Sequence, residues 1–529
     1  MMLPSRSSLA STAAFVLSIG PIYAAPTTEA AAACRALSKE YPKQVANSAL
    51  ELNLTLSSDY FQARQEYWSQ ANADIKPACI FFPGSAQEVS FAVKVLNNYT
   101  SVPWTVKGAG HNPNVQFSSV QDGILISLEA NMKYTTLDRR NIAHVGAGCR
   151  WTDVAKVLDI SSRAVVSGRL GVVGVPGLTM GGGLSFLSAE RGMTADNVES
   201  YQVVTAAGEI VEASKTENSD LWYAMKGGGG QFGIVTEFRM ATYPIGLVWG
   251  GYKIFSMSQK EKVINATHNL VGNYYDTKAA VIVTYTSTLD SLLDIFVVFF
   301  FYNAPDGPGE ILNEFNSIPA LVDGTKPRQT YGQLLDSNSQ FSLPGQRYLI
   351  RTGTLPNLPG SQGIDLYTQA FDSYFAAGKK AQLETIDNFI FSMAFQPIPH
   401  QLQANSVNNP NGVNLLGFNP DHGDKVIMEY DVSWLSALTD KKAAAYLTAA
   451  TEPAQQYAKS KYAGVKPTNY KSGDLNTIPY NPIFMNDAMY NQDPLRSYGA
   501  ATYDRLKQIQ RERDPNGLFS KRAGGFKFT

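Results

Sequence analysis

A histidine on a glycine-rich turn is the first group in this sequence that could do chemistry. Residues 105–114 read TVKGAGHNPN, so Gly108, Ala109 and Gly110 lead into His111. Histidine is scarce, with only five in 529 residues. Turns of small residues expose backbone N–H groups, which bind phosphate oxygens without a basic side chain. The stretch therefore indicates a phosphate-binding loop with an imidazole beside it.

Two more glycine clusters follow this turn. Residues 168–186 read GRLGVVGVPGLTMGGGLSF, and residues 226–236 read KGGGGQFGIVT. Glycine permits positive φ and close approach of the backbone to a ligand, but it is costly to order. Clusters at three places therefore favour a ligand-binding surface over plain packing. The match of GGGQFG (228–233) to G-x-G-x-x-G is not a dinucleotide fingerprint, because a helix precedes it and a strand follows.

Several other chemistries lack their motifs. The sequence has no HExxH, no paired CxxC, no G-x-x-x-x-G-K-[ST] phosphate loop and no G-x-S-x-G nucleophile elbow. His144, His268, His400 and His422 do not have the spacing of metal ligands, so no metal site is predicted. With 44 basic and 45 acidic residues and no polybasic run, the chain is not predicted to bind nucleic acid or an anionic membrane.

The elements that must hold these turns alternate between strand and helix from about residue 75 to 245. Strands are predicted at ACIFFPGS, VPWTV, GILISL and NIAHVGAG, and VPWTV ends directly at the His111 turn. Ser85 and Glu88 form a capping box for a helix whose apolar face includes Val89 and Val93.

From about residue 246 the composition and patterning of the sequence change. Glycine clusters stop, and aromatic-rich strands such as IFVVFFFY (295–302) alternate with helical stretches such as KAAAYLTAATEPAQQYAKSKY (442–462). This pattern predicts a second, α+β domain with a substantial sheet. Close to the C-terminus, SYGAATYDRLKQIQRERDPNGLF (497–519) predicts an amphipathic helix.

The N-terminal residues indicate export. Residues 1–25 are typical of a secretory signal peptide, with Arg6 ahead of an apolar stretch of small residues. No later apolar run is long enough to span a bilayer. Three glycosylation sequons begin at Asn53, Asn98 and Asn265. We therefore expect a secreted glycoprotein.

The three cysteines fit an oxidising compartment. Cys34 and Cys79 could form one disulfide. Cys149 is then left over, and its flanking sequence HVGAGCRW favours a small buried residue at a strand end over a reactive thiol.

Taken together, the motifs resemble the berberine-bridge-enzyme-like branch of the vanillyl-alcohol-oxidase superfamily, particularly its fungal secreted members. The resemblance rests on KGAGHN, VGVPGLTMGGGLSF, GMTADNVES, GGGGQFGIVT and the closing helical segment, in that order from about residue 34 to the end. It implies a two-lobed α+β flavoprotein, with a PCMH-type FAD-binding domain and a substrate domain built on a large antiparallel sheet. The implied divisions are 34–245 for the FAD domain (core about 73–245), 246–478 for the substrate domain and 479–529 for a segment that returns to the FAD domain.

The same resemblance implies the cofactor-binding residues. In that family the histidine of the glycine turn forms an 8α-linkage to the isoalloxazine ring of FAD, and this residue is His111 here. The other residues that the resemblance places along the cofactor are Lys107, Gly108, Ala109, Gly110, Asn112, Gly177, Leu178, Thr179, Gly182, Gly183, Leu184, Asp196, Asn197, Val198, Gly230, Phe232, Gly233, Ile234 and Val235.

The sequence departs from the family pattern at three places. Members with two covalent flavin bonds have a cysteine where this chain has Leu170, so a single bond is expected. The usual V-G-V-G-G is V-G-V-P-G here, with Pro176 in place of glycine. Many members have Tyr-Gly-x-Asn in the C-terminal segment, whereas this chain has Tyr-Gly-Ala-Ala (498–501), so that contact to the flavin is not carried over.

The catalytic base is not carried over either, because the plant-type glutamate motif is not recognisable in 389–418. We place Tyr480 and Asp487 first, since their segment leads back into the FAD domain. A general base acts when its pKa suits the working pH. The alternatives from the sequence are Tyr490, Glu429, Tyr430 and His400.

The resulting expectation is a secreted, monomeric FAD-linked oxidase with one covalent histidyl bond. It would oxidise an alcohol or C–H group of a small natural product and pass the electrons to O₂. One alternative is an oligosaccharide oxidase, and another, of a different class, is a redox-inactive secreted glycoprotein that keeps an FAD-type scaffold.

Overall fold

A computed structural model describes residues 27–47, 59–287, 294–385, 387 and 389–529. The signal peptide expected at 1–25 and the sequon at Asn53 lie outside the described residues. Asn98 is exposed at the end of a helix and Asn265 is partly exposed, so both sequons stay predictions.

Two small sheets form the N-terminal half of the chain. The strands of this half are β1 (Val45–Asn47), β2 (Cys79–Phe81), β3 (Trp104–Lys107), β4 (Ile124–Ser127), β5 (Thr135–Leu137), β6 (Ile142–Gly146), β7 (Arg163–Ala164), β8 (Val198–Val204), β9 (Ile210–Ser214), β10 (Ile234–Ala241) and β11 (Tyr243–Pro244). The first sheet has the order β1-β2-β4-β3, with β2, β4 and β3 parallel. The second is an antiparallel sheet of order β5-β6-β10-β8-β9, and β7 pairs only with β11.

Short helices connect and cover these strands. They are α1 (Thr28–Glu40), α2 (Asp59–Gln65), α3 (Gln70–Ala73), α4 (Ala86–Asn98), α5 (Trp151–Asp159), α6 (Val175–Met180), α7 (Ser188–Arg191) and α8 (Ser219–Ala224). Ser85 caps α4 as expected, since its hydroxyl accepts from the Glu88 N–H at 3.2 Å. The Glu88 carboxylate, however, accepts from the N–H of Gly84 at 2.7 Å and not from Ser85, because the turn before the helix leaves the Gly84 donor within reach.

A large antiparallel sheet dominates the rest of the chain. Its strands are β12 (Val248–Ser256), β13 (Ala279–Ser287), β14 (Asp294–Tyr302), β15 (Val322–Asp323), β16 (Lys326–Gln329), β17 (Arg347–Pro356), β18 (Ile390–Ile398) and β19 (Lys425–Trp434). The order is β15-β12-β14-β13-β18-β19-β17, with β16 paired to β12. The expected α+β fold with a large antiparallel sheet is therefore confirmed, and the chain changes from the small sheets to the large one between Pro244 and Val248.

One face of the large sheet is covered by long helices. The helices of this half are α9 (Lys260–Gly272), α10 (Asn313–Asn316), α11 (Tyr331–Ser339), α12 (Ser361–Glu384), α13 (His400–Val407), α14 (Asp440–Lys461), α15 (Pro494–Ser497) and α16 (Ala500–Arg513). Alternate strand residues such as Val283, Phe391 and Met428 form an apolar core with α9, α12 and α14. Because side chains alternate across a strand, the intervening residues are left on the opposite face. No helix in the described part of the chain is long and apolar enough to cross a bilayer.

The C-terminal segment packs back against the glycine-rich N-terminal half. The Tyr498 hydroxyl donates to the carbonyl of Gly227 at 2.9 Å, and the Gln510 amide donates to Gln231 Oε1 at 2.7 Å. The Asp514 carboxylate accepts from the backbone N–H groups of Leu518, Phe519 and Ser520. The domain boundaries drawn from the sequence stay predictions.

The cysteines are arranged as the sequence indicated. Cys34 on α1 is bonded to Cys79 on β2, across 45 residues of chain. Cys149 is buried, and burial raises its thiol pKa to about 11. Because only the thiolate is nucleophilic, Cys149 is held unreactive.

The disulfide is expected to stabilise the fold. Closing a loop of 45 residues restricts the unfolded chain, and a bond of this kind contributes about 2–4 kcal/mol. The Cys34→Ser variant should therefore unfold at a lower denaturant concentration. As a control, titrating wild-type thiols should give one thiol per chain after unfolding without reductant and none in the folded state. Three thiols in the unfolded protein would contradict the pairing.

Candidate active site

A cavity of about 740 Å³ lies between the glycine-rich turns and the uncovered face of the large sheet. The glycine-rich side is formed by residues 108–113, 173–174, 176–178, 180–181, 228–231 and 233–235. The sheet side is formed mainly by alternate residues of five strands. Those that line the cavity are Ile282, Thr284 and Thr286 of β13, Ile295, Val297 and Phe299 of β14, Tyr348 and Ile350 of β17, Ile390, Ser392 and Ala394 of β18, and Glu429, Asp431, Val432 and Ser433 of β19.

The His111 turn begins where β3 ends at Lys107. Gly110 has a φ of +66°, and a Cβ there would lie 2.9 Å from the Glu66 carbonyl oxygen, so no larger residue fits. Lys107 is fully buried and its ammonium donates to the Ala63 carbonyl at 2.7 Å, which ties the turn to the end of α2. The turn is therefore held rigidly at the edge of the cavity.

His111 itself is packed between two parts of the chain. Its ring stacks on the indole of Trp68, with centroids 4.6 Å apart and planes inclined by 12°. Its Nε2 lies 3.1 Å from the hydroxyl oxygen of Ser342, in the segment between α11 and β17. Burial and the nearby Arg150 charge lower the His111 pKa to about 4, so the imidazole is neutral at ordinary pH.

The predicted cofactor residues divide into two groups in the structure. Those that line the cavity are His111, Gly108, Ala109, Gly110, Asn112, Gly177, Leu178, Leu184, Gly230, Gly233, Ile234 and Val235. Those that do not line the cavity are Lys107, Thr179, Gly182, Gly183, Asp196, Asn197, Val198 and Phe232. Asp196, for example, accepts from the Ser406 hydroxyl at 2.5 Å and from the Met193 N–H at 2.8 Å. Its carboxylate is thus engaged within the protein.

Leu170 and Pro176, where the sequence departs from the family pattern, both line the cavity. Pro176 lies in the first turn of α6, a position where a proline ring costs no hydrogen bond. Cys149 is not among the lining residues, and its thiol donates to the Tyr134 carbonyl at 3.1 Å. The described structure therefore shows no cysteine at the cavity that could form a second flavin bond.

One of the two predicted bases lies in the cavity and the other does not. Asp487 lines it, and its carboxylate accepts from the Gln396 amide at 2.7 Å. Gln396 in turn accepts a hydrogen bond from Arg169. Tyr480 is half-buried against Lys459, outside the set of lining residues. Among the alternatives only Glu429 is a lining residue, and the structure adds Asp431, two residues further along β19.

Two of the three carboxyl groups, Asp487 and Glu429, interact electrostatically with the Arg169 guanidinium. Burial raises the pKa of Asp487 to about 6, while the Gln396 hydrogen bond and the Arg169 charge limit the rise. Burial, with the Asp487 charge nearby, raises the pKa of Glu429 well above its usual value and that of Asp431 to about 8. At neutral pH, Asp487 is therefore ionised and Asp431 keeps its proton, and burial favours the protonated form of Glu429 as well.

Sequence reasoning missed several of these residues. Arg169 lies inside a glycine cluster, a pattern that indicates backbone contacts to a ligand and not a charged side chain. Trp68 lies in a polar leader that carries no motif. Asp431 could have been found, because Glu429, Asp431 and Ser433 alternate along VIMEYDVSW and must share one face of a strand.

The cavity is suited to a large ligand with polar groups. A Cβ added to Gly177 or Gly230 would meet no protein atom within 4 Å, so the backbone there is open to close approach. Buried polar atoms without a hydrogen-bond partner occur on five lining residues, which are Trp68 (Nε1), Ser118 (Oγ), Gln231 (Nε2), Gln346 (Oε1) and Asp431 (Oδ1). Buried polar atoms are normally satisfied, so these are free for a bound molecule. The glycine turns and the amide of Gln231 fit the phosphate and polar groups of FAD.

Comparisons with known proteins agree with this fit. A profile of an FAD binding domain matches residues 77–214. The chain is 33% identical over 489 residues to an uncharacterized FAD-linked oxidoreductase of Arthroderma benhamiae, covering 90% of this chain and 92% of the relative. It is 30% identical over 464 residues to a bifunctional solanapyrone synthase of Alternaria solani, covering 87% of this chain and 83% of the relative. It is 27% identical over 482 residues to an FAD-dependent monooxygenase of Aspergillus calidoustus, covering 89% of this chain and 86% of the relative.

Solved structures share the fold at low sequence identity. The 6-hydroxy-D-nicotine oxidase of Arthrobacter nicotinovorans superposes with a TM-score of 0.68 at 18% identity, covering 90% of this chain and 96% of that one. The Physcomitrella patens BBE-like 1 protein gives 0.69 at 16%, covering 94% and 100%. The glucooligosaccharide oxidase of Acremonium strictum, described with a 6-S-cysteinyl, 8α-N1-histidyl FAD, gives 0.67 at 17%, again covering 94% and 100%.

The chain is thus a flavoprotein of the PCMH and berberine-bridge-enzyme-like fold, and the expected resemblance is confirmed. It belongs to the FAD-linked oxidoreductases.

Open glycines on the cavity wall give a test of where FAD binds. Gly177→Ala and Gly230→Ala place a methyl group in the cavity without touching protein atoms. We expect unchanged or slightly higher stability of the apoprotein. FAD binding should be about tenfold weaker, because the added methyl group takes up space in the cavity, and a loss of about 1.4 kcal/mol in binding free energy is a factor of ten. Reconstitution of apoprotein with FAD, followed by fluorescence quenching, measures the affinity.

Gly246→Ala is the matched control for these two variants. A Cβ at Gly246 also meets nothing within 4 Å, but Gly246 does not line the cavity. It should leave FAD binding unchanged. Equal affinity of all three variants and the wild type would show that FAD does not lie against Gly177 and Gly230.

Proposed function

We propose that this protein is a secreted oxidase whose FAD is bound covalently to His111 alone. The substrate is a small natural product, oxidised at an alcohol or C–H group, and O₂ accepts the electrons. The observation that carries the proposal is that His111 and Asp487 line the same cavity, on its glycine-rich side and beside the large sheet, respectively. A tether and a base thus face one space in which a substrate can bind.

FAD supplies a two-electron acceptor at this site when it is bound. The protein's part is to hold the substrate and to take up a proton. Asp487 is the carboxyl that can do so at neutral pH, because its pKa of about 6 leaves it ionised. Over a full cycle the substrate loses two electrons and two protons, and O₂ leaves as hydrogen peroxide.

The sheet side of the cavity favours a compact and largely apolar substrate. Most of its lining residues are aliphatic or aromatic, and hydroxyls are contributed by Thr284, Thr286, Ser392 and Ser433 among others. Apart from His111, the described residues that line the cavity include one basic side chain, that of Arg169. Its guanidinium already donates to Gln396. This arrangement supports a neutral substrate over a carboxylate or phosphate.

An oligosaccharide oxidase is the second candidate. Solved oligosaccharide oxidases share the fold, but at 16–19% identity this likeness extends to the fold alone. Leu170 in place of a cysteine and the aliphatic sheet face favour the natural-product substrate. Membership of the FAD-linked oxidoreductases argues against a redox-inactive scaffold. A screen of sugars and of phenolic and aliphatic alcohols for peroxide release separates these possibilities, and substrate hydroxylation without peroxide would indicate a monooxygenase.

The covalent bond can be tested by acid precipitation. Wild-type protein should give a yellow pellet whose flavin stays attached on denaturing gels. His111→Ala should release the flavin to the supernatant, because no other side chain in the described cavity wall is proposed to hold it. His144→Ala, a change at a histidine outside the cavity, should keep the flavin in the pellet. Colourless wild-type pellets with flavin in the supernatant would refute the covalent bond.

The role of Asp487 can be tested through the pH dependence of substrate oxidation. The base must be ionised to accept a proton, so the rate should rise with pH through about 6 and level off above it. Asp487→Asn should lower the rate by about 10²- to 10⁴-fold and remove this rise.

Glu429→Gln is the matched comparison for Asp487→Asn. Burial raises the pKa of Glu429 and favours its protonated form, which an amide resembles, so the variant should preserve both most of the rate and the rise near pH 6. A Glu429→Gln variant that loses the rise, with Asp487→Asn keeping it, would transfer the role of base to Glu429.

A further inference from the structure

The hydrogen bond between Ser342 and His111 joins two distant parts of the chain. Ser342 lies in the segment 340–346, which connects α11 to β17, and four residues of this segment besides Ser342 line the cavity. Its hydroxyl oxygen is 3.1 Å from His111 Nε2. The other ring nitrogen, Nδ1, makes no hydrogen bond to another residue in the described part of the chain. The two nitrogens of the imidazole are therefore in different environments.

Aromatic stacking fixes the orientation of this imidazole. Trp68 lies between His111 and Tyr348, with ring centroids 3.9 Å apart on the Tyr348 side. The Trp68 backbone N–H donates to the Gly110 carbonyl at 3.1 Å, which ties the indole to the His111 turn. The Tyr348 hydroxyl donates to the Leu343 carbonyl at 2.6 Å, next to Ser342. The imidazole and the serine hydroxyl are thus both held in place.

We propose that Ser342 is a positioning residue for covalent attachment of the flavin. Its hydroxyl accepts a hydrogen bond from the N–H at Nε2 of His111 and thereby holds the tautomer in which Nδ1 carries a lone pair. Nδ1 is then the nitrogen that forms the bond to the flavin. The inference rests on the proposed covalent bond at His111.

The chemistry of attachment explains why a hydroxyl suits this position. One C–H bond of the flavin 8α-methyl group and one imidazole N–H bond break, and one N–C bond forms. The two electrons and two protons are passed to O₂, which becomes hydrogen peroxide. Nε2 carries the proton before attachment and has lost it afterwards. A serine hydroxyl can accept from Nε2–H first and donate to Nε2 later, whereas an aliphatic side chain can do neither.

The surroundings also favour attack by the imidazole. Burial and Arg150 keep His111 neutral, and a protonated ring would have no lone pair to attack with. The described residues around the ring include no carboxylate hydrogen-bonded to it, so Ser342 is the side chain that distinguishes the two nitrogens. Without it the neutral ring would populate both tautomers.

The test is the rate at which apoprotein becomes covalently flavinylated. Apoprotein from riboflavin-depleted cells is mixed with FAD in air, and acid-insoluble flavin is followed with time. Ser342→Ala should slow the attachment by about tenfold, the effect of losing one orienting hydrogen bond. Ser342→Thr keeps a hydroxyl and should stay within about threefold of the wild type on the same grounds.

Ser337→Ala is the matched control, since Ser337 lies on α11 outside the cavity lining. It should flavinylate at the wild-type rate. Non-covalent FAD affinity and the unfolding midpoint are measured for each variant, and both should be unchanged in Ser342→Ala. A purely structural role would instead lower these quantities along with the rate.

The outcomes separate this inference from the proposed function. Wild-type protein without acid-stable flavin would overturn the covalent bond and the role of Ser342 together. Covalent flavin that forms equally fast in wild type and Ser342→Ala would overturn only the role of Ser342. If Ser342→Ala does not fold, nuclear magnetic resonance of the wild-type flavin peptide still decides, because attachment through Nε2 would contradict the proposed tautomer.

Discussion

The stack of His111, Trp68 and Tyr348 is the contact on which the geometry of the cavity depends. It joins the glycine-rich turn after β3 to the first residues of β17 in the large sheet, so the two walls of the cavity are held in register through aromatic rings. Stacked rings bury much area with few rotatable bonds, which makes such a joint stiff. The Ser69 hydroxyl accepts from the Tyr348 N–H at 3.0 Å and adds a second connection next to the stack.

Charge in the cavity obeys a similar constraint. Three carboxyl groups and one guanidinium lie within a largely apolar space, and isolated charges are costly there. The balance is reached when one carboxyl is ionised opposite Arg169 and the other two are protonated. Gln396 decides which one, because its amide donates to Asp487 while its carbonyl oxygen accepts from Arg169. The same relay therefore neutralises the cavity and leaves one group ready to accept a proton.

Much of the fold could be anticipated from local patterns. A short apolar run predicted the buried strand at 295–302, and the glycine clusters by themselves indicated close approach of the backbone to a ligand. The pairing of Cys34 with Cys79 was also within reach, since three cysteines allow few pairings. These features depend on neighbours in the sequence, or on a small number of choices, and so need no knowledge of the tertiary fold.

The sequence by itself determined the turns, the strands and the candidate tether at His111, because backbone propensities and glycine conformations act over a few residues. Only the tertiary structure decided which carboxyls face the cavity. Tyr480 and Asp487 are seven residues apart, yet the fold directs only Asp487 to Gln396 and Arg169, which are about 90 and 320 residues away in the sequence. The partnership of His111 with Ser342 spans 231 residues. Such contacts arise from the packing of whole sheets, and no local pattern encodes them.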